Sequence, residues 1–187
     1  MKETFKIVIV LTFVCIVCSF FLSLAFNSAK QKISLNEKKL IEESIIKISP
    51  LTKKIKNISG DSEDLYQLKD KHSQLNGYAF IASGQGYQGT IKILAVSDTS
   101  FNKLTGIEII EAVETPGLGA KIAEAPFLNQ FKGLNVSLEI SCTKKQITED
   151  NQIEAITGAT ISSNAVTRIL NNRLAEIKEQ LKKSLQK

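Results

Sequence analysis

Tryptophan is absent from this 187-residue chain, histidine occurs once, as His72, and cysteine three times. Cys15 and Cys18 lie inside an apolar run, where they read as small apolar helix residues. Cys142 is then alone in the rest of the chain, so no internal disulfide can form there. A single His with no Cys or His cluster around it does not make a metal site, and His72 reads as a solvated side chain. No nucleophilic triad and no general acid stand out either. The expected set of catalytic residues is therefore empty, and so is the set of metal ligands. The net charge is +5, yet the lysines are scattered and usually stand beside Glu, which argues against a nucleic-acid partner. With 23% charged and 43% hydrophobic residues, the chain is neither disordered nor wholly membrane-embedded. Its length fits one ordinary domain plus an anchor.

What is present begins with the uncharged run IVIVLTFVCIVCSFFLSLAF, residues 7–26, preceded by Lys2 and Lys6. At about 1.5 Å per residue, such a helix spans roughly one bilayer core. The hydroxyls of Thr12, Ser19 and Ser23 can be satisfied on helix carbonyls. Ser23-Leu24-Ala25 resembles a signal-peptide cleavage site, but the run is long for a signal peptide, which favours a retained anchor. Lysine counting leaves orientation open. Lys30, Lys32, Lys38 and Lys39 follow the span, but long domains cross largely regardless of charge.

Ser34 and Glu37 have capping-box spacing, and Leu40, Ile41, Ile45 and Ile48 share a helical face that stops near Pro50. Residues 51–76 are polar and lysine-rich and read as irregular or a short helix. Strand character follows at residues 77–82, 90–96 and 104–110, close together and without intervening helices, as in an antiparallel meander. Residues 123–133 read as a short helix and 136–141 as a further strand. From about Ser163, Val166, Leu170, Leu174, Ile177, Leu181 and Leu185 line one helical face. The expected fold is α+β: a small, mainly antiparallel sheet flanked by helices, behind one N-terminal transmembrane helix. The expected division is a tail at 1–6, an anchor at 7–26, a helical or irregular linker at 27–76 and a domain at 77–187.

Two glycine-bearing motifs invite a phosphate reading. Gly84, Gly86 and Gly89 match the spacing of a dinucleotide fingerprint, but a β-branched run follows them where a helix is required. A close-packed hairpin is the better reading. In ITGATISS, Thr157, Thr160, Ser162 and Ser163 place four hydroxyls at the mouth of a helix, and Gly158 and Ala159 add little bulk. Helix N–H groups and small residues there make a phosphate site. A plain N-cap on Ser162 or Ser163 is the alternative.

TGAT followed by ISS resembles the flavinylation motif of the FMN-binding domain family. That domain occurs in the G subunit of Rnf-type electron-transport complexes and in the C subunit of the sodium-pumping quinone reductase. GYQGTIKILAV and ETPGLGAKI match the same family in the same order, and so does a single span before the domain. Glu154 stands where members often have Asp, and Phe127 where they often have Trp.

The resemblance implies FMN joined through its phosphate to Thr160, with Thr157, Gly158, Ala159, Ser162 and Ser163 around it. It also implies that Glu114, Thr115, Pro116, Gly117, Leu118 and Gly119 lie along the flavin ring, with backbone N–H groups tuning its potential. The implied protein is a membrane-anchored electron carrier without substrate chemistry of its own. Its implied partners are the other subunits of an ion-translocating complex and a maturing flavin transferase. The implied location is the inner membrane, single-pass, with the domain outside the cytoplasm. The chain's shortness points to the Rnf G subunit. The alternatives are a C-type subunit of a quinone reductase, a stand-alone anchored flavin reductase, and an anchored binding module without flavin.

Overall fold

A computed structural model of the chain describes residues 2–58 and 64–185, in two units that meet after Leu40. No Gly or Pro occurs before Pro50, so nothing in the sequence breaks a helix there. Helix α1 accordingly runs without a stop over Lys2–Ile48, and Ser34 and Glu37 lie within it rather than at a helix start. Within the first unit, Thr4–Phe26 is long and apolar enough to cross a membrane, and none of it is buried. Thr12 satisfies its hydroxyl on the Val8 carbonyl at 2.8 Å, as a helix in lipid requires.

The second unit is built on a five-stranded antiparallel meander, in the order β1 (Lys54–Asn57), β2 (Leu65–Lys69), β3 (Leu75–Gln85), β4 (Thr90–Ser97) and β5 (Leu104–Ala112). β3, β4 and β5 lie where their apolar runs put them. β1 and β2 correct the expectation of an irregular or helical linker. β1 is a lysine-bearing edge strand, which discourages edge-to-edge pairing but hides the strand pattern. In β2 only Tyr66 and Leu68 are buried, so its alternation is short.

Both faces of the sheet are covered. Phe80, Ala82, Ile91, Ile93 and Ala95 face a core shared with helix α3 (Thr160–Leu185), to which α3 contributes Val166, Ile169, Leu170, Leu174 and Ile177. Ala79, Ile81, Leu94 and Val96 face the other way, onto Ile41 and Ile45 of α1. This explains why β4 reads ILAV without alternation. Burying each such aliphatic side chain contributes roughly 1.5–3 kcal/mol. Leu40, expected on the same face of α1, is exposed.

Between β5 and α3 the chain makes short pieces: a 3-10 turn at Gly119–Ala123, helix α2 (Ala125–Leu128), a 3-10 turn at Asn129–Phe131, and a parallel pair of β6 (Ser141–Thr143) and β7 (Gln152–Glu154). The strand expected at 136–141 is instead irregular up to Ser141. Asn171 of α3 clamps the backbone of Ile140 at both N–H and C=O, each at 2.9 Å, in place of a neighbouring strand. Ser137 N–H turns back onto Asn135 Oδ1. Val136 and Ile140 are buried all the same, so the apolar pattern was real while its backbone partner was not a strand.

Candidate functional site

β7 feeds straight into the turn that opens α3. Ala155 N–H extends the β6–β7 pair by bonding to Thr143 O, and Gln130 clamps both backbone groups of Glu154. The turn then closes through Ala159 N–H to Ile156 O at 2.9 Å, with Gly158 at φ 81°, which a side chain rarely adopts. Ser163 finishes it: its hydroxyl donates to Ala159 O and accepts from Ile156 N–H. Fully buried, Ser163 shapes the turn and offers nothing to a ligand.

Because α3 begins at Thr160, its N-cap position falls on Ala159, which has no oxygen to cap with. Ser162 and Ser163 sit inside the first turn, so the N-cap reading of these serines does not hold. The N–H groups of Thr160, Ile161 and Ser162 lack intrahelical acceptors, and the positive end of a 26-residue helix lies there.

A cleft of about 510 Å³ opens over this helix end. It brings together the expected Thr115, Leu118, Gly119, Gly158, Ala159, Thr160 and Ser162. The cleft also takes in Tyr87, Lys144 and Ile161, which the sequence reading missed. Tyr87 sits at the tip of the glycine-rich hairpin, Lys144 just after β6, and Ile161 beside the motif threonine. A signal existed only for Ile161, an apolar residue among hydroxyls. Tyr87, Leu118 and Ile161 are 63%, 48% and 59% exposed, an unusual grouping of apolar surface at one cleft.

Glu114, Pro116, Gly117, Thr157 and Ser163 do not line the cleft. Thr115 to Leu118 form a β-turn, with Pro116 and Gly117 at its centre and Leu118 N–H bonded to Thr115 O at 3.2 Å. Gly117 takes φ 75°, as the third residue of a type II turn must. Ala120 N–H also bonds Thr115 O, so the loop keeps two of its N–H groups for itself.

Glu114 is buried with its carboxylate turned inward. Oε1 accepts from Tyr87 N–H at 2.7 Å and from Gln88 N–H at 3.3 Å, and Oε2 accepts from Ser162 Oγ at 2.8 Å. Two glycines make room for it: a Cβ on Gly86 would stand 2.1 Å from Oε1, and one on Gly119 2.5 Å from Oε2. The glycines of the apparent dinucleotide fingerprint thus do belong to a hairpin, and one of them serves this carboxylate.

A larger groove of about 860 Å³ runs elsewhere along α3, past Ser83, Gln85, Lys92, Arg168 and Arg173, and shares no residue with the cleft. Among the described residues, no group of three or more His, Cys, Asp or Glu could hold a metal ion.

The model of the FMN-binding domain family matches residues 86–175, which span both sides of the cleft. The G subunit of an ion-translocating oxidoreductase complex from Methanosarcina acetivorans is 29% identical, over 96% of this chain and 97% of that one. The G subunit of a Na(+)-translocating ferredoxin:NAD(+) oxidoreductase complex from Acetobacterium woodii is 42% identical over 87 residues, 46% of this chain and 41% of that one. The chain thus matches nearly the whole of the archaeal relative and less than half of the bacterial one. Among solved structures, the C subunit of a Na(+)-translocating NADH-quinone reductase from Parabacteroides distasonis shares the fold, with TM-score 0.55 and 24% identity over 70% of this chain and 78% of that one. Residues 86–175, which carry the cleft, are thus similar to the FMN-binding domain family.

Proposed function

We propose that this chain is a membrane-anchored electron carrier, the G-type subunit of an Rnf-like ion-translocating complex, holding FMN by a phosphoester on Thr160. The observation that carries the reading is the placement of Thr160. It is the first residue of α3, half-buried, in a cleft whose floor is small and whose helix N–H groups lack intrahelical acceptors. The residues fit the group. A phosphate on Thr160 Oγ1 would be held by those N–H groups and the helix dipole, worth about 0.3–1 kcal/mol or somewhat more when partly buried. Lys144 adds a cation to the same cleft, and Tyr87, Leu118 and Ile161 supply apolar surface for an aromatic ring. The cleft volume lies within the usual range for a cofactor.

FMN, when bound, supplies one- and two-electron transfer. The chain's own residues do the rest. Thr160 fixes the group in an open cleft, where a freely dissociating cofactor would be lost. The turn from Thr115 to Leu118 stiffens one wall, and Ser163 holds the other. The exposed cleft leaves an edge for other carriers to approach, which suits a protein that relays electrons between partners.

Support for the Rnf-type assignment comes from the end-to-end match to the archaeal G subunit. By the same reading the apolar helix anchors the chain in the cytoplasmic membrane, with its domain on the outer side, and a flavin transferase attaches the FMN. Expression with and without such a transferase tests this. The denatured, gel-separated protein should fluoresce as a flavin only with the transferase. From native membranes the chain should copurify with redox subunits. A chain that binds flavin reversibly and purifies alone would contradict the proposal.

A further inference from the structure

We infer that Glu114 is the positioning residue for covalent attachment: through Ser162 it holds the first turn of α3 so that Thr160 is the hydroxyl presented in the cleft. The inference rests on the reading of Thr160 as the attachment point and assigns Glu114 a different role from the ring contact that resemblance implied. Glu114 does not itself line the cleft, and its carboxylate is taken up by three hydrogen bonds, from Tyr87 N–H, Gln88 N–H and Ser162 Oγ. Tyr87, Gln88 and Ser162, from segments far apart in sequence, meet on this one group, and Gly86 and Gly119 leave space for its two oxygens that a Cβ would fill.

The arrangement sorts the four hydroxyls of the motif. Ser163 is spent on Ile156 and Ala159 and is fully buried. Ser162 gives its proton to Glu114 and is 2% exposed, so it can neither donate toward the cleft nor be reached for in-line attack. Thr157 and Thr160 carry no side-chain hydrogen bond among the described residues, and only Thr160 lines the cleft.

Attachment joins Thr160 Oγ1 to the phosphorus of a flavin phosphoanhydride. The anhydride P–O bond breaks, the leaving phosphate takes the bonding pair, and the hydroxyl proton passes to the transferase's base. The bond between Glu114 and Ser162 sets where that oxygen stands, without touching the reacting atoms.

The experiment is a time course of flavinylation by the transferase for wild type, Ser162→Ala, Glu114→Gln and the double variant. Peptide mapping gives the site, and thermal melting gives the folded fraction. Ser162→Ala keeps the N–H bonds to Glu114 and should stay folded. We expect each single variant to slow attachment at Thr160 by roughly tenfold or more, since small misplacements of a reacting group carry such factors. Part of the label should move to Thr157. The double variant should be no slower than the slower single one, because both changes act on the same hydrogen bond, between residue 114 and Ser162. Modification of Ser162→Ala at the wild-type rate and only on Thr160 would overturn the inference. So would a slowing that vanishes once rates are referred to folded protein. A wild-type chain that gains no covalent flavin would overturn the attachment reading and this inference together, whereas an indifferent Ser162→Ala overturns this inference alone.

Discussion

Gly119 packs its bare Cα against the carboxylate of Glu114, so that a Cβ there would stand 2.5 Å from Oε2 and 2.7 Å from Ser162 Oγ. Gly117, two residues earlier in the same loop, has nothing within 4 Å of a Cβ but sits at φ 75°. The two glycines should therefore fail differently. Gly119→Ala should cost about 1–3 kcal/mol by overpacking and should also impair covalent flavin attachment, because it displaces the link to the attachment turn. Gly117→Ala should cost roughly 1–2 kcal/mol through its backbone alone and leave attachment intact. Urea unfolding alongside a flavin-fluorescence gel checks both. Equal attachment in the two variants would contradict the geometry.

The domain should need more of the chain than residues 77–187. Ile45 is fully buried on the second face of the sheet, and β1 and β2 extend that sheet. A chain beginning near residue 40 should fold cooperatively, whereas one beginning at Gly77 should aggregate or stay unfolded. Ile45→Ala should cost about 2–5 kcal/mol. Circular dichroism melts of the three proteins provide the measurement, and a cooperative melt of the chain from Gly77 would count against this packing.

Cys142 is half-buried, and that burial raises the pKa of its thiol above the ordinary cysteine value. Its thiolate fraction at pH 8 should be lower than that of a free cysteine, and its reaction with a thiol reagent slower, climbing as the pH rises further. With Cys15 and Cys18 replaced by Ala, the absorbance time course reports Cys142 alone. Denaturant should restore the free-cysteine rate. A native rate equal to that of free cysteine at pH 8 would contradict the burial.

Orientation in the membrane should place the domain outside the cytoplasm. A reporter fused after Lys187 should be active only when it is of the type that works outside the membrane. Activity of a cytoplasm-only reporter at that position would reverse the assignment.

The sequence exposed those parts of the fold whose local pattern and tertiary role agree. β3 to β5 carry dense apolar runs, and α3 keeps a continuous face from Val166 to Ile177. Where partners lie far off in sequence, legibility ended. β1 looks like a polar linker until β2 pairs with it, and the backbone of Ile140 is held by Asn171 rather than by a strand. The site divides the same way. Thr160 and its turn were legible because the hydroxyls and small residues are contiguous. Tyr87 and Lys144 reach the cleft from distant loops, and the inward turn of Glu114 depends on two glycines that no local pattern pairs with it.

The central claim is that Thr160, set at the first position of α3, carries the flavin. Peptide mapping by mass spectrometry after expression with the transferase tests it most directly, with Thr160→Ala and Thr157→Ala run in parallel. The account predicts one FMN, joined through its phosphate to Thr160, lost entirely in Thr160→Ala and largely kept in Thr157→Ala. Flavin on Thr157, Ser162 or Ser163 of the wild-type chain, or persisting in Thr160→Ala, would contradict it.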